Sequence, residues 1–480
     1  MNMRLRAIAI VGAMLGAGCS VGPKYKVPAA PVTPAWKEAP PETFKETQGW
    51  KTAQPADAKL RSDWWAIFGD PELNSLESQV DVSNQNLKIA EARFREARAL
   101  IQLNRSSLFP TVTAGVGIQS GYGTRNSTLS DAKRRYTSFV LPVDLSYEVD
   151  AWGRVRHSVE AAREEAQATA ADLETIRLSI HTELARDYFA MRSADAQKKL
   201  LDETVVAFEK ALQLNRNRFE GGAASGSEVA QAETQLRAAQ TQAIETGIQR
   251  TQFEHAIAVL IGKAPAEVSL SVRPLTGEPP LIPGALPSEL LERRPDIAAA
   301  ERRMAEANEV IGIARAAFFP SIFLGATAGF QSGSITDWLT WPNRLWAVGP
   351  SVLQTVFDAG RRRANTEAVT ANYDALVASY REAALRAFQE VEDNLAALRI
   401  LEEETKTQRA AVEAARRSVE LSTNRYTGGL VTYLEVATTQ TIALENERLA
   451  VDIERRRMDA SVLLIKALGG GWEVANLPRP

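Results

Sequence analysis

Arg218-Phe-Glu-Gly-Gly-Ala-Ala-Ser-Gly-Ser-Glu-Val229 returns 207 residues later as Arg425-Tyr-Thr-Gly-Gly-Leu-Val-Thr-Tyr-Leu-Glu-Val436. In both copies a Gly pair closes a stretch of 67 residues without proline, 154–220 and 361–427. Ala, Glu, Arg, Leu and Gln dominate these stretches, which favours helix. At 1.5 Å per residue, each helix would run roughly 100 Å, far longer than a compact domain is wide. Apolar residues recur at three- and four-residue steps, as in Leu173, Ile176, Ile180, Leu184 and in Val391, Leu395, Leu398. That spacing predicts coiled-coil-like packing. Gly at the end of a helix adopts the left-handed cap conformation without Cβ strain. Return helices are expected from Ser227, as N-cap, and from Thr432.

Working outward, the same offset joins Gly153-Arg154 to Gly360-Arg361 and Leu260-Ile261-Gly262 to Ala467-Leu468-Gly469. Phe109-Pro110 and Phe319-Pro320 match at an offset of 210. The chain is therefore two copies of one unit, 73–262 and 288–469, joined by a Pro-rich linker, 263–287. Each unit opens with a helical stretch, 72–108 and 288–318, stopped by Pro110 or Pro320. Two strand-like runs follow in each unit: 111–120 and 137–147, then 321–331 and a weaker partner at 345–356. Their period of two is clear in Val112, Ala114, Val116, Ile118 and in Phe139, Leu141, Val143, Leu145, Tyr147. Runs of about 10 residues have the length of tilted membrane strands. The expected class is α+β, mostly α, with a tail at 470–480.

Residues 1–18 read as a secretory signal: Arg4 and Arg6 precede an apolar stretch too short to span a membrane. Cys19, the only cysteine, follows directly. That placement points to a lipid attachment site, although Gly16 stands where such sites usually carry Leu. Residues 20–57 are rich in Pro, Ala, Lys and Thr and read as an extended tether, within an N-terminal segment at 19–72.

The charge balance, 56 Lys and Arg against 59 Asp and Glu, carries no basic excess of the kind nucleic-acid binders show. The three histidines, His157, His181 and His255, lie in helical stretches with no metal-ligand spacing. There is no phosphate loop and no nucleophile elbow. Glu402, Glu403 and Glu404 read as a solvated helix face. The expectation is a protein that is not an enzyme and needs no cofactor beyond a lipid on Cys19. A stalk-like envelope coiled coil is the rival reading, against which the repeated strand pairs count.

Four membrane-type strands cannot close a barrel, and open edges are not tolerated in lipid. Two chains would give a side-chain-filled barrel of about 8 strands, and three chains about 12 around water. The long helices would then form a second, coaxial cylinder.

Over nearly its whole length the chain resembles the lipidated branch of the TolC/OprM outer-membrane factor family. The matching residues are Cys19-Ser-Val-Gly-Pro-Lys-Tyr25, Trp64-Trp65 with Phe68-Gly-Asp-Pro-Glu-Leu73, Arg294-Pro-Asp-Ile297, Ala316-Ala-Phe-Phe-Pro320, Phe357-Asp-Ala-Gly-Arg361 and Lys466-Ala-Leu-Gly-Gly-Gly471. The resemblance implies a homotrimeric efflux duct: a 12-strand barrel in the outer membrane of a Gram-negative bacterium and a periplasmic α-helical barrel. It implies an equatorial belt, a periplasmic adaptor and an inner-membrane pump of the resistance-nodulation-division type. It places adaptor docking at the two turns, Gly221, Gly222, Ala224 and Gly428, Gly429, Leu430. It places the sealed aperture just beyond, where relatives carry Leu, then Asp, then Arg. Here those positions are Leu434, Thr438 and Thr441, so the aperture is expected to close by apolar contact at Leu434, with any ionic lock absent or moved, for example to Glu435.

Overall fold

The computed structural model describes residues 20–33, 35–38, 63–122, 135–282 and 290–471. Cys19, the leader and most of the C-terminal tail lie outside these residues. The element order is α1 (Pro71–Ser83), α2 (Gln85–Ser106), β1 (Thr111–Ala114), β2 (Gly117–Tyr122), β3 (Arg135–Val149), α3 (Arg154–Glu220) and α4 (Gly226–Leu260). The second repeat follows with α5 (Leu290–Arg293), α6 (Pro295–Ala316), β4 (Ser321–Ser332), β5 (Arg344–Leu353), α7 (Arg361–Thr427) and α8 (Tyr433–Ala467). The paired helices are equal in length: 22 residues for α2 and α6, 67 for α3 and α7, 35 for α4 and α8.

Three helical expectations need correction. The lead-in helix 72–108 is broken at Asn84, which is extended and caps α2 by accepting from the Leu87 N–H at 3.0 Å. Its side-chain amide donates to the Leu260 carbonyl at 2.7 Å, so tertiary bonding fixes the break. The second lead-in is likewise broken at Arg294, where the following Pro295 disfavours helical backbone. The N-cap of α4 is Ser225, not Ser227: Ser225 and Glu228 form a capping box.

The strands form one antiparallel sheet in the order β1 and β2, β3, β4, β5. β1 and β2 share one register against β3. The gap between them faces Pro142, which accepts from the Gly115 N–H at 3.1 Å but has no N–H to return. The 15-residue β3 is roughly 50 Å long, enough to cross a bilayer at a steep tilt. β5 stops at Leu353, short of the expected 356.

Register sorts the sheet into two faces, because directly paired residues share a face. One carries Val112, Ile118, Val143, Leu145, Ile322, Leu324, Ala326, Val348 and Val352. The other carries Thr111, Thr113, Asp144, Ser146, Thr327, Gln331 and Ser351. The apolar face is uncovered: Trp346 and Val348 are each 73% exposed. Below the sheet, α6 packs against both α3 and α7, while α2 packs mainly on α3. The largest core cluster lies around Trp64, Trp65, Leu184, Tyr188, Phe388 and Leu464, where α1, α3, α7 and α8 meet. A second, around Phe208, Leu236, Tyr426 and Tyr433, sits at the far ends of the long helices. No helix among the described residues is long and apolar enough to cross a membrane.

Candidate channel entrance

The two turns at the far end close in the same way. Gly222 and Gly429 have φ of 71° and 73°. The Ala223 and Leu430 N–H groups reach back to the Arg218 and Arg425 carbonyls at 2.7 and 2.9 Å. This is a Schellman closure, and only the positive φ demands glycine, since a Cβ at either position would meet nothing within 4 Å. Gly221 and Gly428 precede them with φ of −78° and −75°. Ala224 is half-buried, whereas Leu430 is 75% exposed.

Repeat-equivalent residues at these turns do different work. In the first hairpin, Arg218 reaches across and donates to the Tyr426 and Thr427 carbonyls at 3.2 and 3.4 Å. It thereby adds a second donor to the Tyr426 carbonyl, which also accepts from the Gly429 N–H at 3.0 Å, and reaches the Thr427 carbonyl at the end of α7. Glu228 also reaches across, accepting from the Tyr433 N–H at 3.1 Å while its other oxygen accepts from the Ser225 N–H. One carboxylate thus serves the starts of α4 and α8. In the second hairpin the equivalent pair turns inward: Arg425 bonds Glu435 at 2.6 Å within the same hairpin.

Beneath these contacts the hairpins share a polar seam inside an apolar cluster. The Tyr426 hydroxyl donates to the fully buried Asn215 at 2.5 Å. The Tyr433 hydroxyl donates to Gln235 at 3.0 Å, and Gln235 donates to the Ala437 carbonyl at 2.9 Å. The two tyrosine rings meet edge to face at 5.6 Å. Burial pushes the Tyr433 hydroxyl up to about 12, so it stays a donor throughout the ordinary pH range.

Leu434, Thr438 and Thr441 lie on one exposed face of α8, with Leu434 58% exposed. Both hydroxyls turn back on their own helix: Thr438 donates to the Leu434 carbonyl at 2.8 Å and Thr441 to the Ala437 carbonyl at 2.9 Å. Thr441 Oγ1 also accepts from Gln235 Nε2 of the first hairpin at 3.4 Å, and neither threonine brings a charge to this face. Sequence reasoning singled out neither Arg218 nor Glu228 as couplers. The available signal was the repeat, which aligns Arg218 with Arg425 and Glu228 with Glu435.

An amphipathic open-edged sheet on long paired helices defines an outer-membrane channel protomer. The family described as outer membrane efflux protein matches residues 76–263 and 286–470, and the chain belongs to it. It is 31% identical over 475 residues, 98% of both chains, to the toluene efflux pump outer membrane protein TtgF of Pseudomonas putida. It is 33% identical over 427 residues to the pyoverdine export outer membrane protein OpmQ of Pseudomonas aeruginosa, covering 87% of this chain and 89% of that one. The outer-membrane channel OprN superposes with a TM-score of 0.84 at 28% identity, covering 95% of this chain and all of that one. The chain is the outer-membrane component of an efflux pump.

Proposed function

We propose that three copies of this chain form one continuous conduit, lipid-anchored at Cys19, that docks a periplasmic adaptor through its turns and drains a pump of the resistance-nodulation-division type. The open sheet carries this reading. Among the described residues the β1/β2 edge and the β5 edge are unpaired, and each would leave backbone groups unsatisfied in lipid, at several kcal/mol per group. Joining β5 of one copy to β1 and β2 of the next removes both edges, and three copies leave a water-filled lumen lined by the polar face. The helices argue likewise. In the repeat, α2 is the equivalent of α6, yet α6 lies between two long helices and α2 has mainly one. The exposed Ile89, Leu100 and Leu103 on α2 supply an apolar surface for the α7 of a neighbouring copy. Such a conduit performs no chemistry on its cargo.

The cargoes named for the relatives range from toluene to pyoverdine. That range supports a duct that passes whatever its pump delivers, here small organic compounds. Deleting the gene should sensitise the cell to a panel of solvents, dyes and antibiotics, and the intact gene should restore tolerance. Unchanged sensitivity to every compound, with the partner pump expressed, would contradict the reading.

A further inference from the structure

A groove runs between α2 and α3 where they approach the foot of the sheet. It holds a volume of about 450 Å³, and four of its ten lining residues are arginines: Arg95, Arg98, Arg105 and Arg163. No carboxylate lines it. Arg163 is held by Glu160 at 2.5 Å. Arg95, Arg98 and Arg105 are exposed and form no ion pair among the described residues. Arg98 lies over the Phe94 ring at 5.9 Å, and Phe94 and Ile101 give the groove an apolar floor.

The arginines are not a consequence of the scaffold. In the second repeat α6 packs on α7 as α2 packs on α3, so both grooves exist within one chain. At offsets of 210 and 207, Arg95 corresponds to Ala305, Arg98 to Asn308 and Arg163 to Thr370. That second groove is closed: Ala305 and Asn308 are buried, Asn308 donates to the Pro23 carbonyl at 3.0 Å, and Tyr25 packs against the cluster of Met304 and Tyr380. Of the two, only the first is both open and basic. With roughly 3.6 residues per turn, Arg98 and Arg105 lie on the opposite side of α2 from Ile89, Leu100 and Leu103, the stripe offered to a neighbouring copy. Assembly through that stripe leaves the groove open.

We propose that this groove binds an anionic phospholipid of the periplasmic leaflet, its phosphate against Arg98 and Arg105 and the start of an acyl chain along Phe94 and Ile101. The leaflet named rests on the periplasmic placement of the helices proposed above. Position favours a lipid. Arg105 stands six residues before Thr111, the first strand residue, with the exposed Phe109 between them. At about 1.5 Å per residue, Arg98 and Arg105 span roughly 10 Å just below the sheet. Charge favours it as well: the planar guanidinium fork matches phosphate oxygens, and a basic pocket at a membrane surface draws anionic head groups. The apolar floor completes the match, since a free phosphate ion would have no use for it. One lipid held by each copy would fix the depth at which the barrel sits.

The test is native mass spectrometry of the full-length channel in a non-ionic detergent, titrated with phosphatidylglycerol or with phosphatidylcholine of the same acyl chains. Wild type should take up one phosphatidylglycerol per chain about twentyfold more tightly than phosphatidylcholine. Arg98→Gln and Arg105→Gln should each weaken phosphatidylglycerol binding about fivefold and leave phosphatidylcholine binding unchanged. Arg93→Gln removes the same charge from the same helix outside the groove, and it should bind as wild type does. The mass of the assembly in the same spectra reports folding and the number of copies, so a failure of the three-copy conduit is seen separately from a loss of lipid. Equal uptake of both lipids by wild type, or an undiminished preference in the Arg98→Gln/Arg105→Gln double variant, overturns the site. Displacement of phosphatidylglycerol by an equimolar glutamate-rich peptide overturns it too, and assigns the groove to an acidic protein segment.

Discussion

Arg218 holds its guanidinium 4.6 Å above the ring of Tyr426 and donates to that residue's own carbonyl oxygen at 3.2 Å. The same side chain therefore grips the end of α7 through both its π face and its backbone. A stacked, charge-assisted contact of this kind is worth about 1–3 kcal/mol, or roughly a five- to hundredfold bias between two arrangements of the hairpins. Arg218→Ala should raise the basal conductance of the purified channel in planar bilayers within that range. Arg218→Lys should recover little, because an ammonium lacks the planar fork. Wild-type conductance in Arg218→Ala would mean that the hairpins are held by their apolar cluster alone.

The exposed turns predict a different defect. Leu430 is 75% exposed and makes no part of the tip cluster, so its replacement does not disturb folding. Leu430→Arg should abolish efflux through lost adaptor contact while channel abundance and conductance stay at wild-type levels. Ala224→Arg should reduce both efflux and abundance, because Ala224 is half-buried. Retained efflux in a Leu430→Arg strain would place adaptor contact elsewhere.

Much of the fold was legible because its punctuation is strong. Arg154–Glu220 and Arg361–Thr427 run between glycines, with no proline inside, and their ends fell where the sequence put them. The break at Asn84 was not legible, because its cause is a bond to Leu260 at 176 residues' separation. The Ser225 cap was legible and was missed: Ser225-Gly-Ser-Glu228 has the spacing of a capping box, and Ser227 is already the second residue of α4. Alternation in the strands predicted two faces, but which β5 residues join the apolar face required the register. Arg218 and Glu228 act across 208 and 205 residues, and no local pattern announces a partner at that range.

The two faces of the sheet make a paired prediction. Val348 pairs with Ala326 on the apolar face, and the adjacent Ala347 pairs with Thr327 on the polar face. Val348→Arg puts a charge against hydrocarbon, at about 2–4 kcal/mol near the midplane. It should sharply reduce the amount of folded channel in outer-membrane fractions. Ala347→Arg should insert normally and shift ion selectivity toward anions. Equal insertion of both variants would mean that the apolar face does not meet lipid.

The main core cluster predicts a pH dependence. His181 is 2% exposed, stacked on Trp65 at 4.4 Å, with Nδ1 2.7 Å from the buried Glu77 and Nε2 3.5 Å from Asp81. Burial works to lower the His181 pKa, but the hydrogen bonds and charges of Asp81 and Glu77 outweigh it and raise it to about 9. Burial raises Glu77 to about 7 against the opposing pull of His181. In both cases the folded state holds protons that the unfolded chain has released. Stability from His181 is complete below about 6.5 and is lost as pH rises through 9. Stability in detergent should therefore fall between pH 6.5 and 9 by about 1–3 kcal/mol, read as a falling thermal midpoint. His181→Gln should start lower and show a flatter profile. A wild-type midpoint that is constant or rises over this interval would contradict a protonated His181.

The aperture prediction follows from what the α8 face offers a neighbouring copy. In a threefold assembly one inward residue becomes a ring of three. Leu434 is the large apolar side chain on this face, 58% exposed. The Thr438 and Thr441 hydroxyls already donate to the Leu434 and Ala437 carbonyls, so neither proton is free to bond a neighbouring copy. Glu435, the nearest charge, is held by Arg425 of its own hairpin at 2.6 Å. That pair is substantially exposed on both sides, and such pairs contribute about 0–1 kcal/mol. Closure by three leucines is insensitive to screening, whereas closure by ion pairs between copies weakens as the Debye length falls from about 10 Å at 0.1 M salt to 3 Å at 1 M. Leu434→Ala should therefore raise closed-state leakage in planar bilayers several-fold. Wild type should show nearly the same leakage at 0.1 and 1 M salt once bulk conductivity is divided out. Arg425→Ala should change that leakage less than Leu434→Ala does. A silent Leu434→Ala channel, or a closed state that loosens strongly with salt, would put the seal on charged groups instead.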